Sequence, residues 1–292
     1  MKKDDFIICI PTYKRAKILL SDKRNPLDFM NDYLLSKTYL CIREEELIPY
    51  SDVIVKYRIK FIIIDKNKPV QALSQTRNNL LQIIIKRKIK KLILMDDDTT
   101  FRYRPFMDSK LLERDKLIFT DKNKIKRYLQ SKMIFQEMFN KMLGYCSEKY
   151  PLIGIRAQGF AGKYLRRWDL NQRIVEIQCI YMPVIKKEKI IFSSEVEGFE
   201  DYYFTLKLLT LGYKNVCLNN YVRDSKMNTP GGCSEYRTAK DNNKCALKLA
   251  KLFPDYVTAY AKQNGSWGVN RISVRVKWIQ AFNEELYNAR QI

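Results

Sequence analysis

The stretch Lys91-Leu92-Ile93-Leu94-Met95-Asp96-Asp97-Asp98 constrains this chain most. Four consecutive apolar residues between a lysine and a carboxylate read as a short strand buried on both faces. Such a strand belongs to an α/β sheet with helices on either side. Three aspartates stand where the strand emerges, and ligands of open α/β sheets bind outside the carboxyl ends of the strands. Alternate side chains at a strand end point the same way, so Asp96 and Asp98 are expected to converge on one object. Adjacent carboxylates repel unless a cation sits among them, and hard oxygen ligands favour Mg²⁺, Mn²⁺ or Ca²⁺. The alternative is a solvated acidic turn. The apolar run argues against it by fixing the acids at a sheet edge.

Charge narrows the partners. Lys+Arg 54 against Asp+Glu 32 gives a formal net charge of +22 over 292 residues. That excess draws polyanions, nucleic acid first and an anionic membrane surface second. A lysine-rich solvated surface is the other reading, but the acids gather in a few short runs. Hydrophobic residues make up 46% of the chain, enough for a sizeable core. Seven cysteines without a CxxC pair suggest free thiols in a reducing compartment. Histidine is absent, which excludes Ser-His-Asp and Cys-His mechanisms and any histidine–metal site. A general base must be Asp, Glu, Lys, Tyr or Cys. The amino terminus runs into a strand without a signal-peptide apolar segment. No run approaches the ~20 apolar residues that span a bilayer. The expectation is a soluble, cytoplasmic protein with no membrane partner.

In chain order, Phe6–Ile10 reads as a buried strand stopped by Pro11. The loop Thr12-Tyr13-Lys14-Arg15 suits a nucleotide or diphosphate, or is an ordinary turn. Residues 16–50 read as helix and loop, and Val53–Tyr57 and Phe61–Ile64 as strands. A helix is expected over 71–90, with Arg77 and Asn78 near its start, before the Leu92–Met95 strand. Residues 1–100 thus read as β-α-β-β-α-β, with a mostly parallel sheet. A helix is expected to end near Tyr145, and strands at Leu152–Ile155 and over 173–182. The second acidic run, Ser194–Asp201, precedes a helix over Tyr202–Thr210. Glu200 and Asp201 are then either helix-dipole partners or functional acids. After a strand at Val216–Leu218 and Val222-Arg223-Asp224, the Gly-rich loop Asn228–Ser234 can present amides to an anion, with Arg237 following. The tail shows a helix to Leu252 and an alternating strand, Ile272–Val276, with a basic face. Trp267 and Trp278 with Arg271, Arg275 and Lys277 read as a candidate nucleic-acid surface.

One chemistry uses all of these parts. A nucleotide-sugar donor carries a diphosphate, a cation held by Asp96 and Asp98 neutralises it, and a distant carboxylate takes the acceptor's proton. Ile-Pro-Thr-Tyr-Lys-Arg at 10–15, Gln-Thr-Arg-Asn at 75–78, Met-Asp-Asp-Asp at 95–98 and Gly-Phe-Glu-Asp at 198–201 resemble the ordered motifs of metal-dependent GT-A glycosyltransferases. The late Thr-Pro-Gly-Gly-Cys-Ser, followed by Arg237, is similar to the TET/JBP-associated glycosyltransferases, phage and protist enzymes that modify hydroxymethylpyrimidines in DNA. The resemblance covers about residues 5–240. It implies a Rossmann-like mixed, mostly parallel sheet flanked by helices. Residues 1–240 would form the catalytic domain, with a nucleotide-sugar half (1–100) and an acceptor half (101–240), and 241–292 a packed extension. It further implies that Thr12, Arg15, Arg77, Asn78, Asp96, Gly231, Gly232, Ser234 and Arg237 hold the donor, a UDP-sugar. Asp96, Asp98 and Asp224 would hold Mn²⁺ or Mg²⁺. Asp201, with Glu200 beside it, would be the catalytic acid pair, Asp201 the base if the reaction inverts. The acceptor would be DNA carrying 5-hydroxymethylcytosine or 5-hydroxymethyluracil, already glycosylated or not, in a host cytoplasm if the gene is a phage's. A polysaccharide or lipid acceptor, nucleotidyl transfer, and nucleic-acid binding without catalysis are the competing readings.

Overall fold

In β1 (Phe6–Pro11) the side chains alternate between two cores. Phe6, Ile8 and Ile10 enter one, and Ile7 and Cys9 the other. That period-2 division places β1 inside a sheet covered on both faces. The computed structural model describes residues 5–21, 25–64, 73–103, 132–157, 166–225, 230–232, 238–262 and 271–290. From β1 the chain passes through α1 (Ala16–Ser21), α2 (Asp32–Ser36), β2 (Thr38–Ile42), α3 (Leu47–Tyr57) and β3 (Lys60–Ile63). Next come α4 (Leu73–Lys86), β4 (Lys91–Met95), β5 (Thr99–Tyr103), α5 (Lys132–Tyr145), β6 (Leu152–Ala157), β7 (Trp168–Leu170) and β8 (Ile177–Tyr181). The chain then forms α6 (Met182–Lys187), α7 (Glu200–Thr210), β9 (Asn215–Ser225), α8 (Ala239–Leu252), β10 (Val257–Lys262), β11 (Arg271–Val276) and α9 (Glu284–Ala289).

Among the described residues the main sheet has nine strands, in the order β3-β2-β1-β4-β8-β6-β9-β5, with β7 pairing β9. The contiguous block β3-β2-β1-β4 is parallel, as expected from its crossover helices. Antiparallel β8 then pairs β4 and β6, while β6 and β9 run parallel. This is the mixed, mostly parallel sheet with flanking helices that the motifs imply.

Three expected elements differ. Val53–Tyr57 is the last half of helix α3, not a strand: Tyr50, Val53 and Tyr57 are buried at helical spacing, and the β-branched run Val53-Ile54-Val55 hid that period. Strand β2 lies inside the stretch expected to be helix and loop. The strand expected at Val216–Leu218 runs on through Val222-Arg223-Asp224 as β9.

A third core joins the outer side of α7, through Leu206 and Leu209, to α8 and the β10–β11 hairpin. Trp278, expected on a nucleic-acid surface, instead packs against Tyr202 with ring centroids 5.5 Å apart. Trp267 lies outside the described residues. The six described cysteines are buried and none forms a disulfide among the described residues. No described helix is long and apolar enough to cross a membrane.

Candidate active site

The alternation of β4 decides where the three aspartates go. Leu92 and Leu94 face the core formed with α4 and α7; Ile93 and Met95 face the opposite core. Asp96 continues the first side and meets Arg77 of α4, whose Nη2 donates to Asp96 Oδ1 at 2.9 Å. Asp97 continues the second side. Its Oδ2 accepts from the Thr12 hydroxyl at 2.5 Å and its Oδ1 from Arg15 Nη1 at 2.5 Å. Beyond the strand the chain turns, and Asp98 Oδ2 also receives Arg15 Nη1, at 2.9 Å. Asp96 and Asp98, expected to converge on one object, each bond a different arginine. Tyr50 of α3 completes the polar floor: it lies 2.7 Å from the Thr12 hydroxyl and accepts the Arg15 backbone N–H at 2.9 Å.

Crowding sets the electrostatics. Loss of water pushes the Asp96 carboxyl up to about 7, against the pull of Arg77, with Asp98, Glu176 and Asp97 adding repulsion. Asp98 is pushed up to about 6 by loss of water and by Asp97, against Arg15. Asp201 is raised by burial, opposed by Arg77 and reinforced by Glu200 and Asp96. Carboxylates in this condition gain most from a nearby positive charge.

Arg77, expected at the nucleotide, lies beneath the acids. Its side chain is 2% exposed and lies over the Phe192 ring, 5.3 Å from its centroid. Besides Asp96, it bonds Glu200 Oε1 at 3.1 Å and Asp201 Oδ1. Glu200 also accepts the Gly198 backbone N–H at 2.6 Å, so it closes the first turn of α7. Asp201 receives Gln178 Nε2 at 3.3 Å as well. Asn78 uses both sides of its amide on the Phe192 backbone, at 2.8 Å each, and so ties α4 to the segment before α7.

The glycine loop closes on Arg15. Arg15 Nε donates to the Pro230 carbonyl and Nη2 to the Gly231 carbonyl, both at 3.1 Å. The Gly232 N–H donates to the Tyr13 carbonyl at 2.9 Å, so that amide is engaged within the protein rather than offered to an anion. Both glycines have positive φ, and a Cβ on Gly231 would stand 2.9 Å from the Lys14 carbonyl oxygen. Ser234 and Arg237 lie outside the described residues. Asp224 sits on β9 opposite Thr100, which places its backbone beside the strand that follows the triplet.

Sequence reasoning missed Glu176. It has a φ of +65°, costly for a residue with a side chain, and its carbonyl accepts the Asp96 backbone N–H at 2.9 Å. Its carboxylate pairs with Arg223 of β9. The register of β4 against β8, which pairs Met95 with Ile177, is the signal that puts Glu176 beside Asp96. Read as one strand over 173–182, the segment gave no reason to single it out.

Against known proteins, no family model matches this chain. Two curated relatives do. The chain is 24% identical over 259 residues to a beta-glucosyl-HMC-alpha-glucosyl-transferase of Enterobacteria phage T6, covering 84% of this chain and 80% of that protein. It is 23% identical over 292 residues to the protein of that name from phage T2, covering 91% and 89%. Among solved structures it matches the mannosyltransferase PcManGT from Pyrobaculum calidifontis bound to GDP-Man and Mn²⁺, with TM-score 0.53, 11% identity and 85% of this chain covered. A second match is glucosyl-3-phosphoglycerate synthase from Mycobacterium tuberculosis with Mg²⁺ and UDP, with TM-score 0.51, 9% identity, and 94% of this chain and 87% of that one covered. S. aureus TarS 1–349 with UDP-GlcNAc gives 0.50 and 14%, with 85% of this chain covered. The matches span 66% of the TarS chain and 64% of the PcManGT chain, just under two thirds of each. At these identities the structural likeness is one of fold. Sheet order and neighbours define the class by fold: the chain has the GT-A fold. In sequence it is similar to the two phage glucosyltransferases.

Proposed function

We propose that this enzyme transfers a glucosyl unit from a nucleotide-sugar donor, a UDP-sugar, to 5-hydroxymethylcytosine (HMC) in DNA that already carries a β-linked glucose. The observation that carries the reading is the acid edge of β4, Asp96 to Asp98, held between Arg15 and Arg77 at the carboxyl end of a GT-A sheet. The names of the two phage relatives support the acceptor. The UDP- and GDP-linked ligands of the solved neighbours support the donor class. A net charge of +22 favours a polyanionic acceptor over a neutral one.

A divalent cofactor, Mn²⁺ or Mg²⁺, fits the donor set. Asp96 and Asp98 each direct one carboxylate oxygen to an arginine, and both are raised in pKa by crowding that a cation would relieve. Among the described residues no cluster of three or more ligating groups forms a protein-only cage. Mg²⁺-type sites need none, because one or two carboxylates, donor phosphates and water complete them. We assign Asp96 and Asp98 as its ligands; the side chain of Asp224, expected as a third, lies outside the described residues. Bound there, such an ion would supply positive charge to a diphosphate leaving group.

The protein's own part is to fix this geometry. Arg15 keeps Asp97 and Asp98 from splaying, and Arg77 sets Asp96 and Asp201 with a single guanidinium. An α product from an α-linked donor retains configuration. The acceptor proton then leaves with the diphosphate, and Asp201 contributes negative charge beside the sugar. Inversion would make Asp201 the base.

The test is transfer itself. The protein, Mn²⁺ and a panel of nucleotide sugars are incubated with duplexes carrying cytosine, HMC or β-glucosyl-HMC. The DNA is digested and its nucleosides are weighed. A hexose-sized gain on β-glucosyl-HMC alone is the expected result, and the anomeric coupling of the product distinguishes retention from inversion. No gain on any DNA would sink the proposal.

Metal binding should strengthen with pH. Protons held on Asp96 up to about 7 and on Asp98 up to about 6 must leave before a cation enters. Between about pH 5.5 and 7.5 the Kd for Mn²⁺ in the presence of UDP is expected to fall roughly ten- to a hundredfold. Calorimetric titration reads it, and a flat profile would take the metal off these acids.

A further inference from the structure

The β10–β11 ribbon has one face inside the protein and one outside. Val257, with Ile272, Val274 and Val276, packs towards Cys245, Ala246 and Leu249 of α8. Period-2 alternation therefore turns Thr258, Tyr260 and Lys262 outward, opposite Arg275, Ser273 and Arg271. Arg275 lies over the Tyr260 ring, 5.6 Å from its centroid. Lys277 continues the same face. From Val257 to Asn283 the sequence holds four cations and no carboxylate. Other basic elements of the fold are partly neutralised: Lys248 pairs with Glu195, Arg290 with Glu188 and Lys141 with Glu137. Lys262, Arg275 and Lys277 form no ion pair among the described residues.

We propose that this outer face is where the acceptor duplex docks, its cations and hydroxyls seated on DNA phosphates. The proposal rests on the DNA reading above and adds the surface. Its charge is complementary to a phosphate backbone and has no acid to repel one. A two-stranded antiparallel ribbon fits the ~12 Å major groove, the groove into which a substituent at C5 of a pyrimidine projects. The six residues of β11 extend ~20 Å, enough to follow the backbone past several nucleotides. The ribbon is anchored on the helix that carries the acid pair: Trp278, two residues beyond β11, packs on Tyr202 of α7. A duplex held on the ribbon is thus held by an element packed on the outer side of the helix whose first turn carries the acid pair.

The experiment compares two triple variants that lose the same charge. Lys262→Gln/Arg275→Gln/Lys277→Gln strips the ribbon. Lys240→Gln/Lys244→Gln/Lys251→Gln strips exposed positions of α8 on the side turned from the ribbon. All six side chains are away from the cores, and melting temperatures check that both variants fold. Binding of a fluorescent β-glucosyl-HMC duplex is followed by anisotropy across a salt series. The ribbon variant should bind at least roughly tenfold more weakly at 0.1 M salt, and its slope of log K against log salt should shrink by about 2.7, three phosphate contacts' worth. Its loss in transfer should fall on the KM for DNA rather than on kcat. The α8 variant should stay within about twofold of the parent. Equal losses in both variants, or none in the ribbon variant while the parent binds DNA, would overturn the ribbon and leave the DNA reading standing. A parent that binds phosphatidylserine vesicles but no duplex would overturn both.

Discussion

Asp98→Ala loses sugar transfer by at least 10²–10³-fold, on the order seen when one group stabilising developing charge is removed, and the protein stays folded. Two observations separate these effects. The Asp98 side chain sits in a turn after β4, outside the strand, where it bonds Arg15, which keeps Asp97 as a partner. Its charge is also opposed by Asp97, and deleting it relieves that repulsion. The melting temperature without metal is therefore expected to hold or rise slightly while kcat collapses and Mn²⁺ affinity falls. Transfer assays, metal titration and thermal unfolding on one preparation check the three together. Activity retained in Asp98→Ala would remove the metal assignment and with it the proposed chemistry.

Arg77→Met has the opposite signature. This side chain bonds Asp96, Glu200 and Asp201 at once and is almost fully enclosed. Removing one member of a buried charge network leaves the others uncompensated, which costs about 3–5 kcal/mol. Asp96 and Asp201 are raised in pKa even with Arg77 present, and without it they would rise further. The sign of the pH dependence follows: the penalty is largest where the acids must ionise, near neutrality, and shrinks in mild acid, where they stay protonated. Urea unfolding at about pH 5 and pH 8 reads it. Arg77→Lys is expected to rescue little, because a point charge cannot fork among three carboxylates. Unchanged stability at both pH values would show that the network is not what holds α4, β4 and α7 together.

These two residues also show how far the sequence could be read. The Leu92–Met95 run with its acids carried strand and edge together, because burial on both faces and three adjacent charges leave few alternatives. Arg77 and Glu200–Asp201 were legible as participants but not as partners. Their meeting depends on α4 and α7 approaching the same strand end across 123 and 124 positions of sequence. Glu176 was invisible because its importance comes from a register, β4 against β8, and from a positive φ that no residue type announces. Tyr50 was hidden by the misread of Val53–Tyr57, since a strand there would not have delivered its hydroxyl to Thr12. Asp96 and Asp98 share one sequence pattern but use different arginines, a division set by a turn that alternation alone does not foresee.

The guanidinium of Arg15 has a consequence for assembly in time. It joins the first strand's loop to carbonyls 215 and 216 positions later, on top of its bonds to the acids of β4. Contacts so distant along the chain form late, since closing a long loop costs entropy before any bond repays it. During synthesis, Thr12, Arg15 and the aspartates emerge early, while the carbonyls that complete their setting are still unmade. The parallel strands can pair in the meantime, but the nascent chain completes the bonds of Arg15 only after residue 231 has left the ribosome.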